Sequence, residues 1–517
     1  MKKSIILICS LILLAGCNST SGKLGSDGKA HLKVLYVGGN PDYETYSEHR
    51  TPEQTDSSVT VRMAAFEQYL GERFSEVKTV KGTDYTADMS DAYDVTIFDG
   101  KTPELVPGKF GKDKDGEYVR RSAQALPEDF DRAAITIGRA GEQVTQGIGC
   151  KNDWYCLCLR NEAHHWNADH QIFKGPFPVT VTAYMAPTPE NAYHYEYYYD
   201  APLPDSTLMW KVHEENDKDG NPLPIGMVSR PGGYLDSPDC EVISSGVCAK
   251  TIDAVAIGRH ANFMTWGFAA SPEYMTDEAK AVFANAIVYM AQFNGRKMIA
   301  RKYNENMASR EFAAELKYLA TMPPYEERVG WAVEANEKGF EMQKAARAKK
   351  ARGEKLDRQD EYYLNFKPQV PMTLSEYLER YEGDLYKTLG DDMDAYGPYI
   401  DENIDYLYGG FKSWNLVLDE DCKAWGIANN DVKLLDKAIT CLETGEDVER
   451  AQRVLDRYTM CTFTSPSEWR AWYRKYSDRM FFTESGGWVF LVNGPDTIPG
   501  NDYSLRSEPE IVEEIKR

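Results

Sequence analysis

Leu32-Lys33-Val34-Leu35-Tyr36-Val37-Gly38-Gly39 reads as a short apolar strand that stops on paired glycines. An apolar run of this length, bounded by a turn signal, predicts a strand covered on both faces. After a loop, Val59, Met63, Phe66 and Leu70 fall on one face of a helix. Further strand candidates lie at 77–80, 94–98, 133–137, 155–159 and 254–257. Helical patterns between some of them predict an α/β domain over residues 31–299, with a mostly parallel sheet covered by helices on both faces. Sheets of this kind place ligands outside the carboxyl ends of their strands. The domain closes on the clearest helix in the chain. Thr276 suits its N-cap, Asp277 and Glu278 suit its positive end, and Gly295 suits the position beyond it. Between them Ala279, Val282, Phe283, Ala286, Ile287 and Met290 recur at helical spacing, so this helix should cover the sheet.

Beyond Arg301 the pattern becomes largely helical. Residues 300–372 read as a helical segment and a linker, the linker marked by Pro368 and Pro371. The stretch 345–352 is rich in Lys, Arg and Ala, and reads as a solvated helix face, with attraction to anionic lipid as the alternative. Residues 373–517 read as a helical domain that ends in a β-hairpin. Leu434, Leu435, Ala438, Ile439 and Leu442 form one apolar stripe, and Val448, Ala451, Val454, Leu455 and Tyr458 form the next. Thr444 with Asp447 resembles a capping box between them. Ser465-Pro466-Ser467-Glu468 marks a further helix start that carries Trp469, Trp472, Tyr473 and Tyr476. Met480-Phe-Phe-Thr483, Gly486-Gly487 and Trp488 to Val492 predict the hairpin.

The amino terminus carries an address. Lys2 and Lys3 precede an apolar run over 4–14 that is too short to span a bilayer, and residues 1–16 read as a signal peptide. The run ends in Leu14-Ala15-Gly16-Cys17, which resembles the bacterial lipoprotein lipobox. That resemblance implies a thioether-linked diacylglycerol on Cys17, cleavage before it, and a further acyl chain, such as palmitate, on the new amino terminus. It makes the membrane the first partner and the cell envelope the location, facing the periplasm or the exterior. An ordinary secretory signal with an incidental cysteine is the other reading. Residues 17–30 then form a flexible tether. A formal charge of −22 argues against nucleic acid as a partner, because that binding requires a basic surface. Of ten cysteines, Cys9 and Cys17 are used by the leader and the lipid, leaving eight for an oxidising compartment. Cys240 and Cys248 are the favoured disulfide pair, and Cys156 and Cys158 read as small core residues on a strand.

Three segments at strand ends gather the polar chemistry. Gly38-Gly39, running on to His49, would let the backbone approach a ligand or simply turn sharply. The segment from Glu162 to His170 places His164, His165, Asp169 and His170 close together. Imidazole titrates near neutral pH, so these residues serve acid/base catalysis, substrate binding, metal ligation or loop hydrogen bonding. Their spacing matches no strong metal signature, so no metal is assigned and the cofactor is unknown. Arg259 and His260 would orient an anion or carbonyl, or would pair with a carboxylate. The tyrosine-rich run 193–199 fits either a sugar-stacking platform or a half-buried strand.

Val34 to Gly39, Asp169-His170-Gln171-Ile172 with Gly175-Pro176-Phe177, and Gly258-Arg259-His260 leading to Trp266-Gly267 together resemble the trehalose-utilisation (ThuA-like) family. That family belongs to the class I glutamine-amidotransferase-like superfamily, and the likeness covers about residues 31–297. It implies a flavodoxin-like sheet and a role in carbohydrate metabolism. Amidotransferases of the superfamily carry a cysteine in a Gly-x-Cys-x-Gly elbow, whereas this chain reads Gly138-Arg139-Ala140-Gly141. Without a nucleophile beside a base, glutaminase activity is excluded from expectation. Two functions remain. One is an enzyme acting on a sugar or sugar derivative, with His164, His165 or His170 as acid/base and Arg259 or His260 positioning the substrate. The other is a non-catalytic envelope lipoprotein that binds a partner protein or a glycan.

Overall fold

The computed structural model describes residues 24–43, 51–114, 116, 118–150, 156–189, 203–248, 251–301, 308–409, 416–505 and 510–515. The signal segment, Cys17, His49 and the tyrosine run 193–199 lie outside the described residues. No helix among the described residues is long and apolar enough to cross a membrane. Part of the expected tether is structured: Leu24 bridges Ala30, and Gly25 N donates to Lys29 O at 2.7 Å.

In chain order the strands of the α/β unit are Ala30–Gly38 (β1), Phe74–Lys81 (β2), Val95–Asp99 (β3), Lys109–Lys112 (β4), Tyr118–Arg121 (β5), Ala134–Ile137 (β6) and Cys156–Leu159 (β7). They continue with Glu162–His164 (β8), Ala183–Pro187 (β9), Ser206–Lys211 (β10), Gly226–Val228 (β11), Cys240–Gly246 (β12), Val255–His260 (β13) and Phe263–Trp266 (β14). The helices are Pro52–Gly71 (α1), Ala140–Thr145 (α2), Gly232–Leu235 (α3) and Asp277–Met290 (α4).

A ten-stranded sheet runs in the order β2-β1-β3-β6-β14-β13-β12-β8-β10-β9. Its first half is parallel, as the apolar runs predict. Its second half is antiparallel, which corrects the expectation of a mostly parallel sheet. The switch occurs at one tight turn. β13 does not stop at Ile257 but runs on through Arg259 and His260, and His260 then pairs with Phe263 across the two-residue loop Ala261-Asn262. Ala261 takes φ 49, the left-handed conformation that such hairpin loops require. Alanine is rare in that conformation, so its identity hid the turn. A second correction concerns β7, which pairs with β11 in a separate two-stranded sheet.

Helices α1 and α4 cover one face, where Tyr69 Oη donates to Lys280 O at 2.6 Å and the Tyr69 and Phe283 rings stack at 6.2 Å. Thr276 caps α4 by accepting from Ala279 N, as its sequence predicts. Leu126, Phe130, Ala140 and Val144 cover the opposite face, against Leu35, Val37 and Phe98.

The remainder of the chain is helical, from Phe312–Leu319 and the long Met322–Ala351 helix to Pro466–Tyr476. The stripes of Lys433–Thr444 and Val448–Tyr458 meet Trp469, Trp472 and Tyr476 in one core. Ser465 and Glu468 form a capping box at the expected helix start. Ser465→Ala should cost about 1 kcal/mol, read as a lower urea midpoint at unchanged slope. The box expected from Thr444 and Asp447 does not form. Asp447 sits at φ 51, and its carboxylate turns instead to Trp425 Nε1 at 3.1 Å and to Arg450. The hairpin pairs Met480–Thr483 with Val489–Val492. The chain does not stop there. Glu513–Glu514 adds antiparallel to β4, and Ile515 N donates to Phe110 O at 2.8 Å, returning the carboxyl-terminal residues to the α/β unit.

Candidate functional site

The antiparallel half splits the polar segments between opposite edges of the sheet. Gly38 ends β1 and lies beside Asp99, the last residue of β3, at the carboxyl edge of the parallel strands. Arg259 and His260 end β13, which runs the other way, and so stand at the amino edge beside the start of β14. One rim therefore does not collect all three segments.

At the amino edge, Arg259 and Glu241 pair across β13 and β12. Arg259 Nη2 donates to Glu241 Oε1 at 2.6 Å, Tyr289 Oη donates to Glu241 Oε2 at 2.7 Å, and His170 Nε2 lies 3.3 Å from Glu241 Oε2. His170 accepts from Ile172 N at Nδ1, which assigns the ring proton to Nε2, facing Glu241. Burial raises the Glu241 carboxyl, but the hydrogen bonds from His170, Arg259 and Tyr289 outweigh it and hold it at about 2. The structure thus unites His170 with Arg259 through a carboxylate that sequence reading missed. Glu241 is the second residue of β12, a stretch singled out only for its flanking cysteines. With each partner engaged, this is a half-buried ion network that ties the His170 loop and α4 to the sheet.

His260 belongs to the opposite face, because neighbouring strand residues alternate. Its Nε2 lies 3.7 Å from Asp239 Oδ2. His164 ends β8, and its Nδ1 lies 2.8 Å from His165 Nδ1. Burial, reinforced by His165, lowers the His164 imidazole to about 4, far from a base poised near neutrality. His165 is exposed at φ 47, and Asp169 is a surface residue 3.1 Å from Lys174 Nζ. The expected disulfide is absent. Cys240 opens β12 and Cys248 lies beyond its other end, whereas a disulfide needs Cα atoms within about 7 Å. Cys158, expected to be a core thiol, is instead disulfide-bonded.

The carboxyl edge is built differently. Gly38, Gly39 and Gly100 allow the ends of β1 and β3 to touch: a Cβ on Gly100 would fall 2.7 Å from Gly39 Cα. Beneath this contact Arg62, on α1, donates from Nε and Nη2 to Asp99 at 2.6 and 2.8 Å, and from Nη1 to Asp42 at 2.7 Å. Tyr36 Oη donates to the same Asp99 carboxylate at 2.5 Å. Burial pushes the Asp99 carboxyl above its ordinary range, and Arg62 pulls it back.

Beside this quartet a cavity of about 380 Å³ opens along the ends of β3 and β6, lined by Lys101, Lys109, Arg120, Arg121 and Arg139 against Glu104 and Glu142. Lys101 and Lys109 are held on the rim by Glu104 and Glu514 at 2.9 and 2.8 Å. Arg139 has no ion pair among the described residues, and its buried Nε has no hydrogen-bond partner. Gln143 Oε1 and Gln146 Nε2, on the same wall, are also buried without partners. Buried polar atoms in folded proteins are nearly always bonded, so this wall is suited to bonds that a ligand would complete. Arg139 also lines a smaller cavity that reaches Asn40 and Asp99. The cationic lining escaped sequence reading because its members come from β4, β5 and the turns that follow β3 and β6. The one local signal was Gly138-Arg139 directly after a strand, where Gly138 takes φ 49 and Arg139 occupies the turn. No family model, curated protein or solved structure matches this chain.

Proposed function

We propose that this chain is a lipid-anchored envelope protein, tethered through Cys17, whose α/β unit binds a small anionic molecule such as a carboxylated or phosphorylated sugar. The observation that carries the reading is the cavity at the carboxyl edge, where five cationic side chains gather on a protein of net charge −22. Charge-assisted hydrogen bonds from guanidinium groups recognise carboxylate and phosphate better than neutral hydroxyls. Counted alone, the parallel strands run second, first, third, fourth, fifth, which is the flavodoxin-like order, and the cavity lies where that fold class places ligands. The same order supports the amidotransferase-like resemblance. Binding is favoured over histidine acid/base chemistry because His164, His170 and His260 line neither cavity.

Calorimetric titration of the full chain with glucose, glucuronate and glucose 6-phosphate tests this. The anionic sugars should bind, with affinity falling as salt rises, and glucose should not. Arg139→Gln should weaken binding about 10- to 100-fold, the worth of one charge-assisted hydrogen bond. Equal binding of glucose, or an Arg139→Gln variant that binds as the parent does, would overturn the reading.

A further inference from the structure

On the opposite edge of the sheet, and independent of that cavity, we propose that Asp239, Cys240 and His260 form a zinc site. A carboxylate oxygen of Asp239, Sγ of Cys240 and a ring nitrogen of His260 all lie within 4.8 Å of one another. Cys240 and His260 are direct cross-strand partners on β12 and β13, so their side chains leave the same face of the sheet. A tetrahedral ion with bonds of about 2.0–2.3 Å needs ligand separations of roughly 3.4–3.7 Å. His260 Nε2 and Asp239 Oδ2 already stand 3.7 Å apart, and the remaining approach is about a rotamer adjustment.

The carboxylate is held in place before any ion arrives. Asp239 O accepts from Ala261 N at 2.9 Å and from Arg259 Nη1 at 3.1 Å. Ile299 N donates to Asp239 Oδ2 at 2.9 Å, and Ser237 Oγ donates to Oδ1. Hydrogen bonds to a metal-binding carboxylate orient it and raise its affinity. A thiolate, an imidazole and a carboxylate together select zinc over magnesium or calcium, which take oxygen ligands. On binding, the Cys240 thiol gives its proton to solvent and its sulfur bonds the metal. Three protein ligands leave a fourth position for water, and Ile299 ties the site to the segment that leads from α4 into the helical region.

The test uses the full chain, reduced and stripped of metal, titrated with Co²⁺. One equivalent should develop a thiolate-to-cobalt absorption band that Zn²⁺ abolishes by displacement. Cys240→Ser should remove the band, and His260→Ala should weaken binding at least ten-fold. In the unmodified chain, which avoids any folding defect in the variants, Zn²⁺ should protect Cys240 from iodoacetamide as read by peptide mass. A missing band at one equivalent, a band retained in Cys240→Ser, or equal alkylation with and without Zn²⁺ overturns the site.

Discussion

Replacing Arg62 with methionine is expected to destabilise the α/β unit by about 3–5 kcal/mol. Arg62 is 1% exposed, and among the described residues it is the one cation bonded to both Asp99 and Asp42. Removing it leaves the fully buried Asp99 carboxylate with Tyr36 Oη and a long contact from Asn40 at 3.5 Å, which do not offset the loss of hydration. The variant should respond by protonating Asp99, so its deficit should shrink as the pH falls. The double variant Arg62→Met, Asp99→Leu should recover much of the stability, because removing both members of a buried pair costs less than stranding one. Urea titrations of the three proteins check this. A single-variant cost below about 1 kcal/mol would show that the quartet tolerates an unpaired carboxylate.

Replacing Glu382 with glutamine should stabilise the helical region, increasingly so toward alkaline pH. Glu382 ends the helix Leu374–Glu382, is 1% exposed, and has no hydrogen-bond partner on either carboxyl oxygen among the described residues. Burial, with Glu315 adding to it, raises its pKa from the ordinary 4.5 to about 8. The folded state therefore holds the proton more tightly than the unfolded chain does. Below about pH 4.5 both states are protonated and Glu382 costs nothing. Between 4.5 and 8 the unfolded chain ionises while the fold must keep the proton, so stability drains away with rising pH and the loss is complete above about 8. Glutamine is neutral throughout, and its advantage should grow from near zero at pH 4 to about 5 kcal/mol at pH 9. Unfolding midpoints of the parent and the variant, measured at both pH values, check the sign. An advantage that did not grow with pH would mean that Glu382 ionises in the folded state without penalty.

Local pattern carried the backbone of the fold, and long-range pairing carried the rest. β1, α1, β3 and α4 were legible because apolar periodicity and caps such as Thr276 are written within a few residues of each element. The direction of β13 was not, because it depends on Ala261 adopting a left-handed turn that its side chain does not favour. That single unread turn moved Arg259 and His260 from one edge of the sheet to the other. His170 and Arg259, singled out separately, do come together, but the carboxylate that joins them, Glu241, lay between the two cysteines read as a disulfide pair, where no histidine drew attention. The basic cavity was least legible of all: Lys101, Lys109, Arg120, Arg121 and Arg139 are unremarkable in sequence and become a set only when β4 and β5 fold over the end of β6.

Ile515 lines that cavity and Glu514 pairs with Lys109 on its rim, so residues far downstream complete a compartment founded beside the early strands. The chamber cannot close until synthesis has passed Ile515. A premature stop or a protease nick far downstream would open its wall while sparing every residue near the first strand.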